Sequence, residues 1–327
     1  MKQEGLQICR PSCFMNDLFA FSQLIKNHPF YKKHRDEVHQ LYFRLGKCGS
    51  LNVENLLKMF KECLPVMFFT LDDSQKMLAQ IAEETLKRRL EGVQFVVYGE
   101  ELYPPSCYMM ADPPLTLSFL GSPVWLMERS LSVVGSREPS YESLRWMEKE
   151  LAAFCEQEQP LIVSGGARGV DQKAHAVALR KNCSTVVVLP SGLGEMYPDS
   201  LKEWIHPVLD GGGCLLSEYD YGQKMHKHLF HHRNRLIAAL GAATLLVEAR
   251  KRSGTLITAN QAVQLGRSVW VVPGHPQDPH FGGSLDLLSE GAVMVRDAQD
   301  LSMFFHSELI SEKMASVGVG GSGDLPH

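Results

Sequence analysis

From residue 131 onward, short apolar runs alternate with glycine-rich polar turns and amphipathic stretches. The runs at 131–134, 161–163, 185–189, 214–216, 244–247 and 268–272 are rich in β-branched residues and lack the one-in-two polar rhythm of a half-exposed strand. Helical patterns such as 170–180 and 256–265 separate them. Fully apolar strands alternating with helices predict a parallel sheet covered on both faces. The fold class expected is α/β, a Rossmann-like, doubly wound, mostly parallel sheet over residues 131–303. In such sheets ligands bind beyond the carboxyl ends of the strands.

The chain ahead of that domain has a different texture. Residues 1–92 carry helical periodicity. It is clearest where Asp72-Asp73-Ser74 cap a run that places Leu78, Ile81, Ala82, Leu86 and Leu90 on one face, before Gly92 ends it. This predicts a small helical N-terminal domain, by analogy SAM-like (a sterile alpha motif) or helix-hairpin-helix-like. Tyr103-Pro104-Pro105 and Asp112-Pro113-Pro114 impose extended or turn geometry, so residues 93–130 read as a connector packed on the main domain. Residues 304–327 are expected to form a partly disordered tail, too short for a winged-helix domain.

With 327 residues, 44% hydrophobic and 21% charged, the composition suits a chain of two globular domains. No apolar run is long enough to cross a membrane, and no basic-then-apolar leader opens the sequence. Eight cysteines without a C-x-x-C pair point to reduced, structural thiols and a cytoplasmic location. A net charge of −4 argues against a nucleic-acid partner until its distribution is considered. Residues 222–267 hold Lys224, Lys227, Arg233, Arg235, Arg250, Lys251, Arg252 and Arg267 against the lone acid Glu248. That segment is +7 and the remainder −11, a local footprint for a polyanion.

Three strand ends run into polar, glycine-rich loops: Gly135-Ser136-Arg137, Ser164-Gly165-Gly166-Ala167-Arg168-Gly169, and Glu248-Ala249-Arg250-Lys251-Arg252-Ser253-Gly254-Thr255. Glycine lets the backbone approach an anion, and helix starts offer unpaired N–H groups with a favourable dipole. A dinucleotide does not fit: there is no G-x-G-x-x-G, and the strand at 185–189 ends in Pro190-Ser191 rather than a ribose-binding acid. No P-loop is present either. Phe230-His231-His232-Arg233-Asn234-Arg235 adds guanidinium forks for phosphate and rings for unpaired bases. The histidines near 226–232 lack a defined metal geometry, so no metal or other cofactor is expected. Glu218 and Glu248 could act as an acid/base pair or brace neighbouring arginines. A nucleotide or nucleoside-phosphate hydrolase is the enzymatic alternative, but Leu256-Ile257-Thr258 follows Ser253-Gly254-Thr255 with no acid.

Those loops, with His175, Tyr197-Pro198, Ser217-Glu218-Tyr219, the stretch Ser253 to Ala259 and Val272-Pro273-Gly274, resemble successive motifs of the DprA/Smf family. The resemblance runs in unbroken order over residues 94–296. It implies a non-enzymatic, single-stranded-DNA-binding protein of natural transformation, a homodimer that protects incoming DNA and helps load a RecA-type recombinase. Carried over by motif, the DNA-facing positions are Ser136, Arg137, Gly165, Gly166, Arg168, Phe230, Arg233, Asn234, Arg235 and Ser253. The chain departs from the family pattern at His231, where a proline is usual, at Gly192-Leu193-Gly194, and at Gly283-Ser284-Leu285-Asp286.

Overall fold

The computed structural model describes residues 91–127 and 129–318, the helix α1 (Arg35–Gly46) and positions 22, 26, 87 and 88. The helix expected after Asp72-Asp73-Ser74 lies outside the described residues. Two compact units are present, one comprising Met1–Tyr103 with Pro114–Ser118, the other Pro104–Pro113 with Phe119–His327. The proline-rich stretch is thus shared between them.

In the first unit, Val38 and Tyr42, one turn apart on α1, are fully buried. His39 meets the Tyr98 ring edge-on at 4.6 Å, just past strand β1 (Gln94–Val97). Glu100 accepts from the Val97 amide at 3.0 Å, and the Tyr103 hydroxyl donates to the Pro114 carbonyl at 2.6 Å. Strand β2 (Thr116–Gly121) leads from this unit into the second.

The second unit is built on parallel strands β3 (Ser130–Val134), β4 (Leu161–Ser164), β5 (Thr185–Val188), β6 (Cys214–Ser217), β7 (Ala243–Leu246), β8 (Val269–Val271) and β9 (Val293–Met294). Their spatial order is β6-β5-β4-β3-β7-β8-β9, every adjacent pair parallel. The order reverses at β3 and β7, where Leu131 pairs with Ile162 on one side and Ala243 on the other. This is the doubly wound α/β fold, with its switch point between the loops that follow β3 and β7.

Helices cover both faces. On one lie α2 (Tyr141–Trp146), a π-helical turn (Met147–Leu151), α3 (Ala152–Glu158), α4 (Val170–Arg180) and α9 (Ala298–Gly318). Leu131, Val133, Ile162, Leu245 and Trp270 pack there with Leu151, Phe154, Val177, Leu301 and Phe305. Alternate residues of β3 point the other way, toward α6 (Lys227–Leu240). Ser132 and Ser130 donate to the Ile237 and Leu240 carbonyls at 2.6 and 2.9 Å, satisfying acceptors that a helix end leaves open. Beside α6 runs α7 (Gly254–Gln264), while α5 (Ile205–Asp210) precedes β6 and α8 (Gly282–Ser289) precedes β9.

Helix α9 continues through residues 304–318, where the sequence suggests only a tail. The reason is burial: Phe305 is fully covered, edge-on to Phe154 at 5.3 Å, with the Arg129 guanidinium 5.5 Å from its ring. Phe305→Ala is expected to cost about 3–5 kcal/mol of stability, the usual loss for a large aromatic removed from a core. Chemical denaturation followed by circular dichroism measures it; a loss under about 1 kcal/mol would detach this helix from the core.

Candidate functional site at the strand ends

The loop after β3 is fastened on both sides. Its Gly135 carbonyl accepts from the Thr255 hydroxyl at 3.0 Å, at the start of α7, and its Ser136 carbonyl accepts from the Val170 amide at 3.1 Å, at the start of α4. Gly169, with φ +86°, lies so close to this loop that a Cβ there would stand 2.7 Å from the Arg137 carbonyl. The three glycine-rich loops therefore share one edge of the sheet.

Glu248, the last residue before the third loop turns outward, has no exposed surface. Its Oε2 accepts from the Ser140 amide (2.8 Å) and hydroxyl (2.7 Å) and from the Ser143 hydroxyl (2.7 Å). Its Oε1 lies 3.1 Å from His280 Nδ1, and His280 Nε2 lies 2.9 Å from an Arg250 nitrogen. Arg250 can only donate, so His280 accepts it at Nε2 and gives its Nδ1 proton to Glu248. Burial works to raise the Glu248 pKa, but the donors from Ser140, Ser143 and His280 outweigh it and hold the carboxyl below its ordinary range. Glu218 belongs to another network, paired with Arg235 and lying 3.5 Å from His232. Both acids act as braces.

Beneath the second loop is a polar floor. Arg233 is 2% exposed; its guanidinium donates to the Val188 carbonyl and, at 3.2 Å, to Asn234 Oδ1. A Cβ on Gly165 would stand 2.5 Å from Asp171 Oδ2 and 2.7 Å from both terminal nitrogens of Arg233. Only glycine lets the backbone rest on these groups. Burial lowers Arg233 to about 10 despite Asp171. His175 is pushed by burial to about 4, so it stays neutral, its Nε2 donating to the Gly165 carbonyl at 2.7 Å.

The rim itself carries Arg137, exposed, with its guanidinium carbon 4.8 Å from the Phe230 ring centroid. The Arg233 guanidinium carbon approaches the same ring at 5.8 Å. Arg168 is exposed on the second loop, one residue before Gly169. Gly166 packs on Leu201, and Ser136 Oγ accepts from the Glu138 amide at 3.1 Å. Ser253 is the N-cap of α7 but makes no capping bond; its Oγ is buried without a hydrogen-bond partner. Arg235 is not on the rim. It is 9% exposed and held by Glu218, His232 Nε2 at 3.2 Å and Met110 Sδ at 3.9 Å. Two positions apart on a helix means about 200° of rotation, so Arg233 and Arg235 cannot share a face. Asn234 is half-buried and braces Arg233.

Sequence reasoning passed over Asp171 as a floor residue and Tyr197 as a neighbour of Phe230. Tyr197 meets that ring edge-on at 5.8 Å, a contact no local pattern signals. Among the described residues no cluster of three or more His, Cys, Asp or Glu side chains could hold a metal, and no helix is long and apolar enough to cross a membrane.

Residues 94–306 match the family model of DNA recombination-mediator protein A. The chain is 34% identical to DNA processing protein DprA of Streptococcus pneumoniae over 222 residues, covering 68% of this chain and 78% of that protein. It is 35% identical to Protein Smf of Escherichia coli over 204 residues, covering 62% of this chain and 54% of that one. Among solved structures, DprA of S. pneumoniae superposes with a TM-score of 0.63 at 29% identity, covering 81% of this chain and 96% of that one. DNA processing protein A of Helicobacter pylori, solved for its single-stranded DNA binding mode, gives 0.58 at 27% identity, covering 67% and 96%.

The floor makes a pH prediction. Burial raises the Asp171 carboxyl to about 6, against the pull of Arg233, the Ala167 amide and Arg137. The folded chain thus holds this proton more tightly than the unfolded chain, and the group's contribution to stability falls as pH rises from the ordinary carboxylate range through about 6. The denaturation midpoint of the wild type, relative to that of Asp171→Asn, should decline over that interval. A constant difference between the two proteins would contradict it.

Proposed function

The chain belongs to the DNA recombination-mediator protein A family, and from that premise we propose that it binds single-stranded DNA along the rim of Ser136, Arg137, Gly165, Gly166, Arg168, Phe230 and Ser253. One observation carries the reading: three glycine-rich strand-end loops are fastened into one edge on which Arg137 and Arg168 are exposed. Such an edge offers backbone donors and guanidinium forks, the pairing that a flexible polyphosphate needs. Arg233 and Asn234 serve the same surface from below, by holding Phe230 and the Gly165 turn in place. Arg235 serves it by anchoring α6 to Glu218. The chemistry this supports is capture without bond cleavage.

The further parts of the proposal are a homodimer, protection of incoming DNA, and transfer of that DNA to a RecA-type recombinase during natural transformation in the cytoplasm. The relatives' names, DNA processing protein and recombination mediator, support this reading. Light scattering at micromolar concentration is expected to give twice the 36.6 kDa chain mass; a single species at the chain mass would refute the dimer.

Arg137→Ala and Arg168→Ala should each weaken binding to a labelled single-stranded oligonucleotide irrespective of its sequence. Each should flatten the log–log salt dependence by about 0.7 per lost phosphate contact. Arg235→Met should leave that slope unchanged, because its guanidinium is buried against Glu218. Unchanged slopes for both rim variants in fluorescence anisotropy would remove them from the interface.

A further inference from the structure

Phe230 is the aromatic residue of the segment that the sequence offers to unpaired bases, yet its ring already has company. The guanidinium carbons of Arg137 and Arg233 lie 4.8 and 5.8 Å from its centroid, and Tyr197 abuts it at 83° between ring planes. Cation–π contacts of this kind hold a guanidinium in place. Phe230 therefore positions Arg137, and a base stacking on it would have to displace a cation.

Tyr197 is different. It is 43% exposed, the neighbour of Phe230 that still offers aromatic surface to a ligand. Its segment is tied to the rim. Gln172 Nε2 donates to the Gly166 carbonyl at 3.2 Å and to Ser200 Oγ at 3.3 Å, and Leu201 packs on Gly166. On its other flank, the Gly192 and Gly194 amides donate to the Gln223 and Tyr221 carbonyls at 2.8 and 2.9 Å. Tyr197 thus abuts the Phe230 ring that carries Arg137, on a segment whose Ser200 and Leu201 reach the second glycine loop and whose other flank is held at Gly192 and Gly194.

We propose that Tyr197 is a nucleobase-stacking residue, working beside a phosphate grip made by Arg137 and the glycine loops. The proposal rests on the single-stranded DNA reading and adds to it the means by which unpaired bases are distinguished from bare polyphosphate. Bases in a duplex are stacked on each other and cannot present a face to Tyr197, so the contact favours single strands.

The test is fluorescence anisotropy of the full chain with two labelled oligonucleotides of equal length, oligo-deoxythymidine and an abasic strand with the same phosphates. Tyr197→Ala is expected to lose roughly 5- to 150-fold in affinity for the base-bearing strand, the span of one stacked base. Its affinity for the abasic strand and its salt slope should match the wild type, and Tyr197→Phe should restore base-bearing affinity. Equal loss on both strands would show that Tyr197 merely props the loop, and no loss on either would remove it from the interface. Either result overturns the proposal. Failure of the wild type to bind either strand would instead sink the single-stranded DNA reading on which it rests.

Discussion

The rim depends on one buried carboxylate. Glu248 has no exposed surface, yet four donors converge on it from the Ser140 backbone, Ser140 and Ser143 hydroxyls and His280. A buried charge is tolerable only when its acceptor sites are filled, and here the filling is what joins the loops after β3 and β7. Those two loops flank the switch point, where adjacent connections leave for opposite faces of the sheet and a crevice opens. Glu248 ties the two sides across it. The hydroxyl bond from Thr255 to Gly135 and the bond from the Val247 amide to the Val134 carbonyl at 3.0 Å add to that link.

Helix α6 contributes three side chains with three tasks. Phe230 reaches the rim, Arg233 supports the floor below Gly165, and Arg235 turns toward Glu218. Each guanidinium is desolvated, so each needs acceptors: the Val188 carbonyl and Asn234 for one, Glu218 for the other. The basic character of the segment 222–267 is accordingly divided. Arg233 and Arg235 are structural cations facing inward, whereas Lys224, Lys227, Arg250, Lys251 and Arg252 remain exposed.

The floor also explains the glycines. The Gly165 backbone lies directly on Asp171 and Arg233, and His175, neutral because it is buried, accepts no competing charge while bonding the Gly165 carbonyl. The result is a turn fixed from beneath, so its outward surface is set before any ligand arrives. Preorganised donors lose less freedom on binding than mobile ones.

The parallel strands, their order of appearance and the three polar loops were legible from the sequence, because a strand buried on both faces must be apolar throughout and a strand end at a ligand edge must tolerate close approach. The predicted runs at 131–134, 161–163 and 214–216 fall within the observed strands. Which arginine faces solvent was not legible: Arg137, Arg233 and Arg235 are chemically alike, and only the folded chain leaves Arg137 exposed after β3 while α6 turns Arg233 to the Val188 carbonyl and Arg235 to Glu218. The helix beyond residue 304 escaped for a similar reason, since Phe305 becomes a core residue only through Phe154, far away in the chain. Local chemistry thus determined the strands and the turn positions. Direction, burial and partnership were decided by contacts between distant segments, whose energies do not exist until the chain has folded.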